Sequence, residues 1–235
     1  MPDVRTICLA GLHRMGRLLG LACGLGLWAM AHAQQAPVDN TRWQAAFAAF
    51  AEADRARVPT PGGIVFVGSS SIRLWDGLET QYGGGKGIIK RGFGGSRLAD
   101  CTRNVERLVL PYRPRLVVLY AGDNDLAEGR TPAQVAQDFR AFVDAVRSRL
   151  PQTGIAFISI KPSPLRASLL AQVQEANALI AAQASAEEGL DYIDIHTPML
   201  DAHGGPRAEL FASDRLHLNP QGYRLWQAVM AEHLR

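Results

Sequence analysis

Cysteine, long apolar runs and net charge are all scarce in this chain, and each scarcity closes off a class of protein. Only three cysteines, at 8, 23 and 101, stand among 235 residues. Two of them fall in an N-terminal segment that reads as an address, which leaves Cys101 alone and no intrachain disulfide in a processed chain. Cys101 follows Asp100 in what reads as a helix, where a small buried thiol is expected rather than a nucleophile. The longest apolar stretch runs from Leu18 to Met30 and is interrupted by glycines. It is shorter than the roughly 20 residues a spanning helix needs. Arg5, Arg14 and Arg17 precede it, and the small-x-small pattern Ala31-His32-Ala33 follows it before Gln34, as in a secretory signal peptide. Residues 1–33 are therefore expected to be a leader, with export to the periplasm or beyond and no stable membrane span after cleavage. Cys23 gives a weaker lipoprotein reading, because Gly20-Leu21-Ala22 matches the usual box poorly.

Charge is nearly balanced. The chain has 25 Lys+Arg and 22 Asp+Glu, and without the leader's three arginines and one aspartate the counts become 22 and 21. A net charge of about +1 makes nucleic acid an unsuitable partner, and Arg103, Arg107, Arg113 and Arg115 lack the aromatic interleaving of a nucleic-acid surface. They read as a solvated face. Neither a linker nor an internal repeat divides residues 34–235, so those 202 residues are expected to form a single domain.

Short apolar runs at Ile64-Val67, Ile88-Ile89, Leu116-Tyr120, Ile155-Ile160 and Tyr192-Ile195 alternate with longer amphipathic segments. Their Val and Ile content suits strands buried on both faces, and the alternation predicts a three-layer α/β/α fold on a parallel sheet of about five strands. Thr131 and Pro132 open the clearest helix, with Val135, Phe139, Phe142, Val143, Val146 and Leu150 on one face and Pro151 closing it. A second helix is expected after Pro164, burying Leu169, Leu170, Val173 and Ile180. Asn219-Pro220 launches the last, with Tyr223, Trp226, Val229 and Met230 inward. Trp43, Phe47 and Phe50 suggest an N-terminal helix on the same core.

Polar clusters follow three of the strands: Gly68-Ser69-Ser70, Gly94-Gly95 and Gly122-Asp123-Asn124-Asp125. A fourth, Asp214-Arg215-Leu216-His217, precedes the last helix. The carboxyl ends of parallel strands share one edge, so these groups can meet in one crevice. A serine hydroxyl is a poor nucleophile until a base removes its proton, and that base needs a carboxylate to hold its tautomer. His217 and Asp214, three residues apart, supply both; His196, near Asp194, is the competing base. Asn124 can donate to a developing oxyanion, and Gly95 can offer an unobstructed amide. Taken singly, each has a plainer explanation, a cap, a turn or a loop histidine. Trp75 and Tyr120 stand near the crevice as possible substrate contacts, although such residues more often pack a core.

In their order, over about 150 residues, the four clusters resemble the blocks of the SGNH, or GDSL-type, hydrolase superfamily. The resemblance implies a flavodoxin-like doubly wound sheet and no cofactor or metal. It also implies Ser70 as nucleophile with Asp214 and His217 completing a triad, and Ser70, Gly95 and Asn124 as oxyanion donors. Ser69 departs from the commonest pattern, which has aspartate before the nucleophile. A Gly-x-Ser-x-Gly elbow, the mark of the other large serine-esterase fold, is missing around Ser70. The expected activity is hydrolysis of carboxylic esters, with acetylated sugars, short-chain esters or lysophospholipids as substrates. Two alternatives stand beside it. One is a metal-dependent phosphoesterase using Asp123, Asp125, Asp214 and His217; the other is a non-catalytic envelope protein that binds a glycan or a partner in the crevice.

Overall fold

The computed structural model describes residues 40–82 and 87–234, which belong to one compact unit; the expected leader lies outside them. Five strands, β1 (Ile64–Gly68), β2 (Ile88–Gly92), β3 (Leu116–Tyr120), β4 (Gly154–Ile158) and β5 (Leu190–Ile193), form one sheet in the order β2-β1-β3-β4-β5. Every pairing is parallel. This is the flavodoxin-like order, whose direction of winding reverses between β1 and β3, and that switch point is where open α/β sheets form a crevice. The turn after β1 carries Ser70 and the turn after β3 carries Asn124. Both therefore stand at the crevice.

The alternation of side chains along a strand divides the core in two. Val65, Val67, Val117, Leu119, Ile155 and Phe157 face one cluster with Trp43 and Phe47. The helices on that side include α1 (Gln44–Ala56), α4 (Leu98–Arg103), α5 (Val105–Leu108), α7 (Pro132–Arg147) and α8 (Leu170–Ser185). Ile64, Phe66, Val118, Tyr120, Ala156 and Ile158 face the other cluster, with Trp75 and Trp226. There α2 (Ser70–Arg73), α3 (Leu78–Gln81) and α9 (Pro220–Met230) cover the sheet, while α6 (Asp123–Ala127), a short helix after β3, buries Leu126 in the first cluster. These are the three layers that the periodicity predicts. Cys101 is fully buried, and burial raises its thiol pKa. Trp75 and Tyr120 are core as well. Both are fully buried, and each ring packs on Trp226, so neither is a substrate contact.

Helix starts agree with the local chemistry. The Thr131 hydroxyl accepts from Gln134 N at 3.3 Å while Gln134 Oε1 accepts from Thr131 N at 3.0 Å, a capping box ahead of Pro132. Asn219 Oδ1 accepts from Gln221 N and Gly222 N to open α9.

Two expectations need correction. The last strand lies at 190–193 rather than 192–195, because the ladder stops at the Ser159 N to Ile193 O bond. Beyond it the Ser159 hydroxyl accepts from both Ile195 N and His196 N, which turns the chain away from β4. The helix expected directly after Pro164 is preceded by a 3-10 segment, Pro164–Leu169, within which Arg166 has non-helical φ −114 and ψ 30. Leu165 N donates to Arg215 O at 3.0 Å, which ties this segment to the loop ahead of the last helix. Leu169 and Leu170 are accordingly half-buried and only Val173 and Ile180, farther along, are buried.

Candidate active site

Gly68 ends β1 at φ +151, and a Cβ there would overlap the Tyr120 carbonyl oxygen. Only glycine lets the two central strands stay in register up to the turn. Ser69 N then donates to Tyr120 O at 3.0 Å, and the chain enters α2 with Ser70 as its first residue. That position leaves the Ser70 N–H without an intrahelical acceptor. Ser69 and Ser71 are buried on either side, whereas Ser70 is partly exposed.

Asp214 and His217 meet Ser70 from the loop ahead of α9. Asp214 Oδ1 accepts from Leu216 N and His217 N, each at 2.9 Å, and Arg215 occupies the left-handed region at φ 59. This Asx-type turn brings the carboxylate to its own histidine. His217 Nδ1 lies 2.6 Å from Asp214 Oδ2, and His217 Nε2 lies 3.0 Å from Ser70 Oγ. Asp214 accepts from the ring and from two backbone amides, which hold its carboxyl down at about 2, so it is ionised at any working pH. An ionised carboxylate requires the proton on Nδ1, and Nε2 then has a lone pair for the serine proton. The loop itself is anchored: Ala212 N donates to His217 O at 2.8 Å, and Asn219 Nδ2 donates to Phe211 O at 3.0 Å.

His196 is placed differently. Its Nδ1 donates to Ile160 O at 3.0 Å, burial lowers its pKa, and neither of its ring nitrogens bonds Ser70.

The Gly94-Gly95 turn is pinned from outside. Trp43 Nε1 donates to Gly94 O at 2.9 Å, and Arg42 Nη2 to Gly95 O at 2.6 Å. In a trans peptide the N–H points opposite to the preceding C=O, so the Gly95 amide faces away from Trp43. Gly95 sits at φ +72, which favours glycine. Asn124 reaches the same turn, with Nδ2 donating to Ser96 O at 3.1 Å and Oδ1 accepting from Arg166 Nη2 at 3.0 Å. An amide nitrogen carries two hydrogens, so one remains available beyond Ser96.

Asp123 and Asp125 have separate tasks. Lys161 Nζ donates to Asp123 Oδ2 at 2.5 Å and to Tyr120 Oη at 3.0 Å, and Arg166 Nη1 lies 3.3 Å from the same carboxylate oxygen. Burial alone would raise the Asp123 pKa, but the Lys161 and Arg166 charges outweigh it and keep the carboxyl below its ordinary range. Asp125 Oδ1 accepts from Leu98 N at 3.1 Å at the start of α4, and burial pushes its pKa up to about 7. Asp123, Asp125, Asp214 and His217 are thus divided among an ammonium, a helix start and a histidine-serine contact. Among the described residues no group of three or more His, Cys, Asp or Glu could hold a metal ion. Sequence reasoning missed Lys161 and Arg166, whose approach depends on β4 ending beside β3.

The raised Asp125 pKa has a sign that can be tested. A carboxyl whose folded pKa of about 7 exceeds its unfolded value of about 3.9 contributes its stability fully below pH 4. That contribution is lost as pH rises to 7. Asp125→Asn keeps the acceptor for Leu98 and cannot ionise, so its melting temperature relative to the parent should be higher at pH 8 than at pH 5. Thermal melts at the two values check this; a difference independent of pH, or larger at pH 5, would contradict it.

The GDSL-like Lipase/Acylhydrolase family model matches residues 63–225, a span that includes Ser70, Gly95, Asn124, Asp214 and His217. Platelet-activating factor acetylhydrolase IB subunit alpha1 of Pongo abelii is 25% identical over 191 residues, covering 77% of this chain and 78% of the relative. A GDSL-like lipase of Bacteroides thetaiotaomicron VPI-5482 superposes with TM-score 0.68 at 20% identity, over 80% of this chain and 96% of that one. A carbohydrate esterase family 3 structure from Talaromyces cellulolyticus gives 0.60 at 16% identity, over 74% and 96%. These two structures share the fold.

Proposed function

We propose that this chain, which belongs to the GDSL-like Lipase/Acylhydrolase family and is accordingly a hydrolase of ester bonds, works through an acyl-enzyme on Ser70. The observation that carries the reading is the continuous line from Asp214 Oδ2 through the His217 ring to Ser70 Oγ, at 2.6 and 3.0 Å. Ser70 Oγ attacks the ester carbonyl as His217 Nε2 takes its proton, and the Nδ1–H bond to ionised Asp214 stabilises the imidazolium. Charge gathers on the carbonyl oxygen, where the Ser70 and Gly95 amides and the Asn124 carboxamide are the donors. Collapse of the tetrahedral intermediate breaks the ester C–O bond, and His217 returns the proton to the leaving alcohol. Water, deprotonated by His217, then releases the acid and restores Ser70.

Acetylated sugars, short-chain esters or lysophospholipids are the proposed substrates, with short acyl groups favoured. The acetylhydrolase and the carbohydrate esterase named above support the first two. An open groove of about 320 Å³ is lined by Leu74, Asp76, Leu218, Tyr223 and Arg224, and by none of the triad residues themselves. Leu74 lies one turn beyond Ser70 and Leu218 follows His217, so the groove suits the part of a substrate away from the scissile bond. Leu165, 60% exposed, offers an apolar contact on the segment bonded to Arg215. No helix among the described residues is long and apolar enough to cross a membrane, and export remains part of this proposal, carried by the sequence of residues 1–33.

Purified protein assayed against aryl esters of increasing acyl length and against acetylated glycans tests the reading. Turnover should be highest on acetyl or other short acyl groups and should survive a chelator. Inactivity on every ester, or activity abolished by chelation and restored by a divalent cation, would contradict it.

A further inference from the structure

Arg166 belongs to none of the four polar clusters, yet its guanidinium joins two of the residues in one of them. Nη2 donates to Asn124 Oδ1 at 3.0 Å while Nη1 lies 3.3 Å from Asp123 Oδ2. The arginine is itself held, since Asp123 is buried and also bound by Lys161. The backbone departs from helical geometry at Arg166 alone within Pro164–Leu169. The adjacent Leu165 N bonds Arg215 O in the triad loop, so one short segment touches both halves of the crevice.

The two ends of a carboxamide have nearly the same shape, and its partners decide which way it points. A guanidinium has only donors, so it must face Oδ1; the Ser96 carbonyl only accepts, so it must face Nδ2. In the flipped amide, Nδ2–H would meet the guanidinium N–H groups and Oδ1 would meet the Ser96 oxygen. Both contacts would repel. Opposite partners on the two sides therefore fix one orientation, which leaves the second Nδ2–H for the crevice. The bond to Oδ1 is charge-assisted and draws electron density from the amide, making that N–H a stronger donor.

We propose that Arg166 is a positioning residue that fixes and polarises the Asn124 carboxamide, anchored from behind by Asp123 and Lys161. The inference rests on the reading of Asn124 as an oxyanion donor. A double-mutant cycle of Asn124→Ala and Arg166→Met, in the full chain on an ester the parent hydrolyses well, tests it. Asn124→Ala should lower kcat on the order of 10²-fold to 10³-fold with KM little changed. Arg166→Met retains the bulk of the stem and leaves Asp123 paired with Lys161. It should lower kcat by about 10-fold to 100-fold with KM changed less than about 3-fold, and by less than about 2-fold once Asn124 is already alanine. Arg166→Lys keeps the charge beside Asp123 but not the fork; it should fall between parent and Met variant, and it carries the same cycle if the Met variant does not fold.

Equal losses from Arg166→Met in both backgrounds, a rise in KM at unchanged kcat, or a parental kcat would each overturn the positioning role. Parental kcat in Asn124→Ala would instead overturn the oxyanion reading itself, whichever way Arg166 behaves. The two failures are thereby distinct.

Discussion

Ser70→Ala should lower kcat for ester hydrolysis by on the order of 10⁶-fold, the loss found when a serine hydrolase loses its nucleophile. The loss comes from chemistry and not from folding. Ser70 Oγ is half-exposed at the first position of α2, and its partner is the His217 ring, so the substitution removes one hydrogen bond at a surface crevice. Stability should change by about 1 kcal/mol or less. Steady-state kinetics on an aryl acetate, with a thermal melt as fold control, separates the two effects. Retention of more than about 1% of parental kcat would place the nucleophile elsewhere.

His217→Ala should be comparably damaging, because without a base the Ser70 hydroxyl stays protonated at neutral pH. His196→Ala provides the contrast. Its Nδ1–H bond to the Ile160 carbonyl is buried, so its removal should cost stability, about 1 to 3 kcal/mol, while kcat stays within about 10-fold of the parent. Kinetics and melts of the two variants side by side check the pair. Equal losses of activity, or the reverse order, would shift the base away from the Asp214 loop.

The parts of this fold that repeat a simple pattern are those a reader of the sequence can find. Strands buried on both faces need a continuous apolar run, and β1, β3 and β4 have one. Helix α7 announces itself by a Thr-Pro start and a 3.6-residue stripe. The last strand is misplaced by two residues because Ile195 is apolar and buried without being in the ladder: the Ser159 hydroxyl takes its amide. A side chain competing for a strand's amides leaves no trace in periodicity.

The candidate site divides along the same line. Asp214 and His217 are three residues apart and meet through a local turn, so their contact is legible from spacing, and Ser70, Gly95 and Asn124 follow strand ends. Lys161 and Arg166 lie 38 and 42 residues from the Asp123 and Asn124 they bind. A lysine after an apolar strand and an arginine after Ser-Pro-Leu read as surface charges. Their burial depends on β4 pairing with β3, which spacing alone does not give. For the same reason Asp123 and Asp125, identical turn residues in the sequence, have pKa values displaced in opposite directions: one faces two cations, and the other is buried against a helix start.

The central claim is that one hydroxyl, on Ser70, is the reacting atom. Its neighbours Ser69 and Ser71 are buried, with 0% and 1% of their surface exposed. A fluorophosphonate should therefore discriminate among three consecutive serines. Mass spectrometry of the labelled active enzyme should show a single adduct, on Ser70, formed in step with loss of activity and absent from Ser70→Ala. An adduct on Ser69, on Ser71 or on a residue outside this turn, or full inactivation with no adduct on Ser70, would contradict the account.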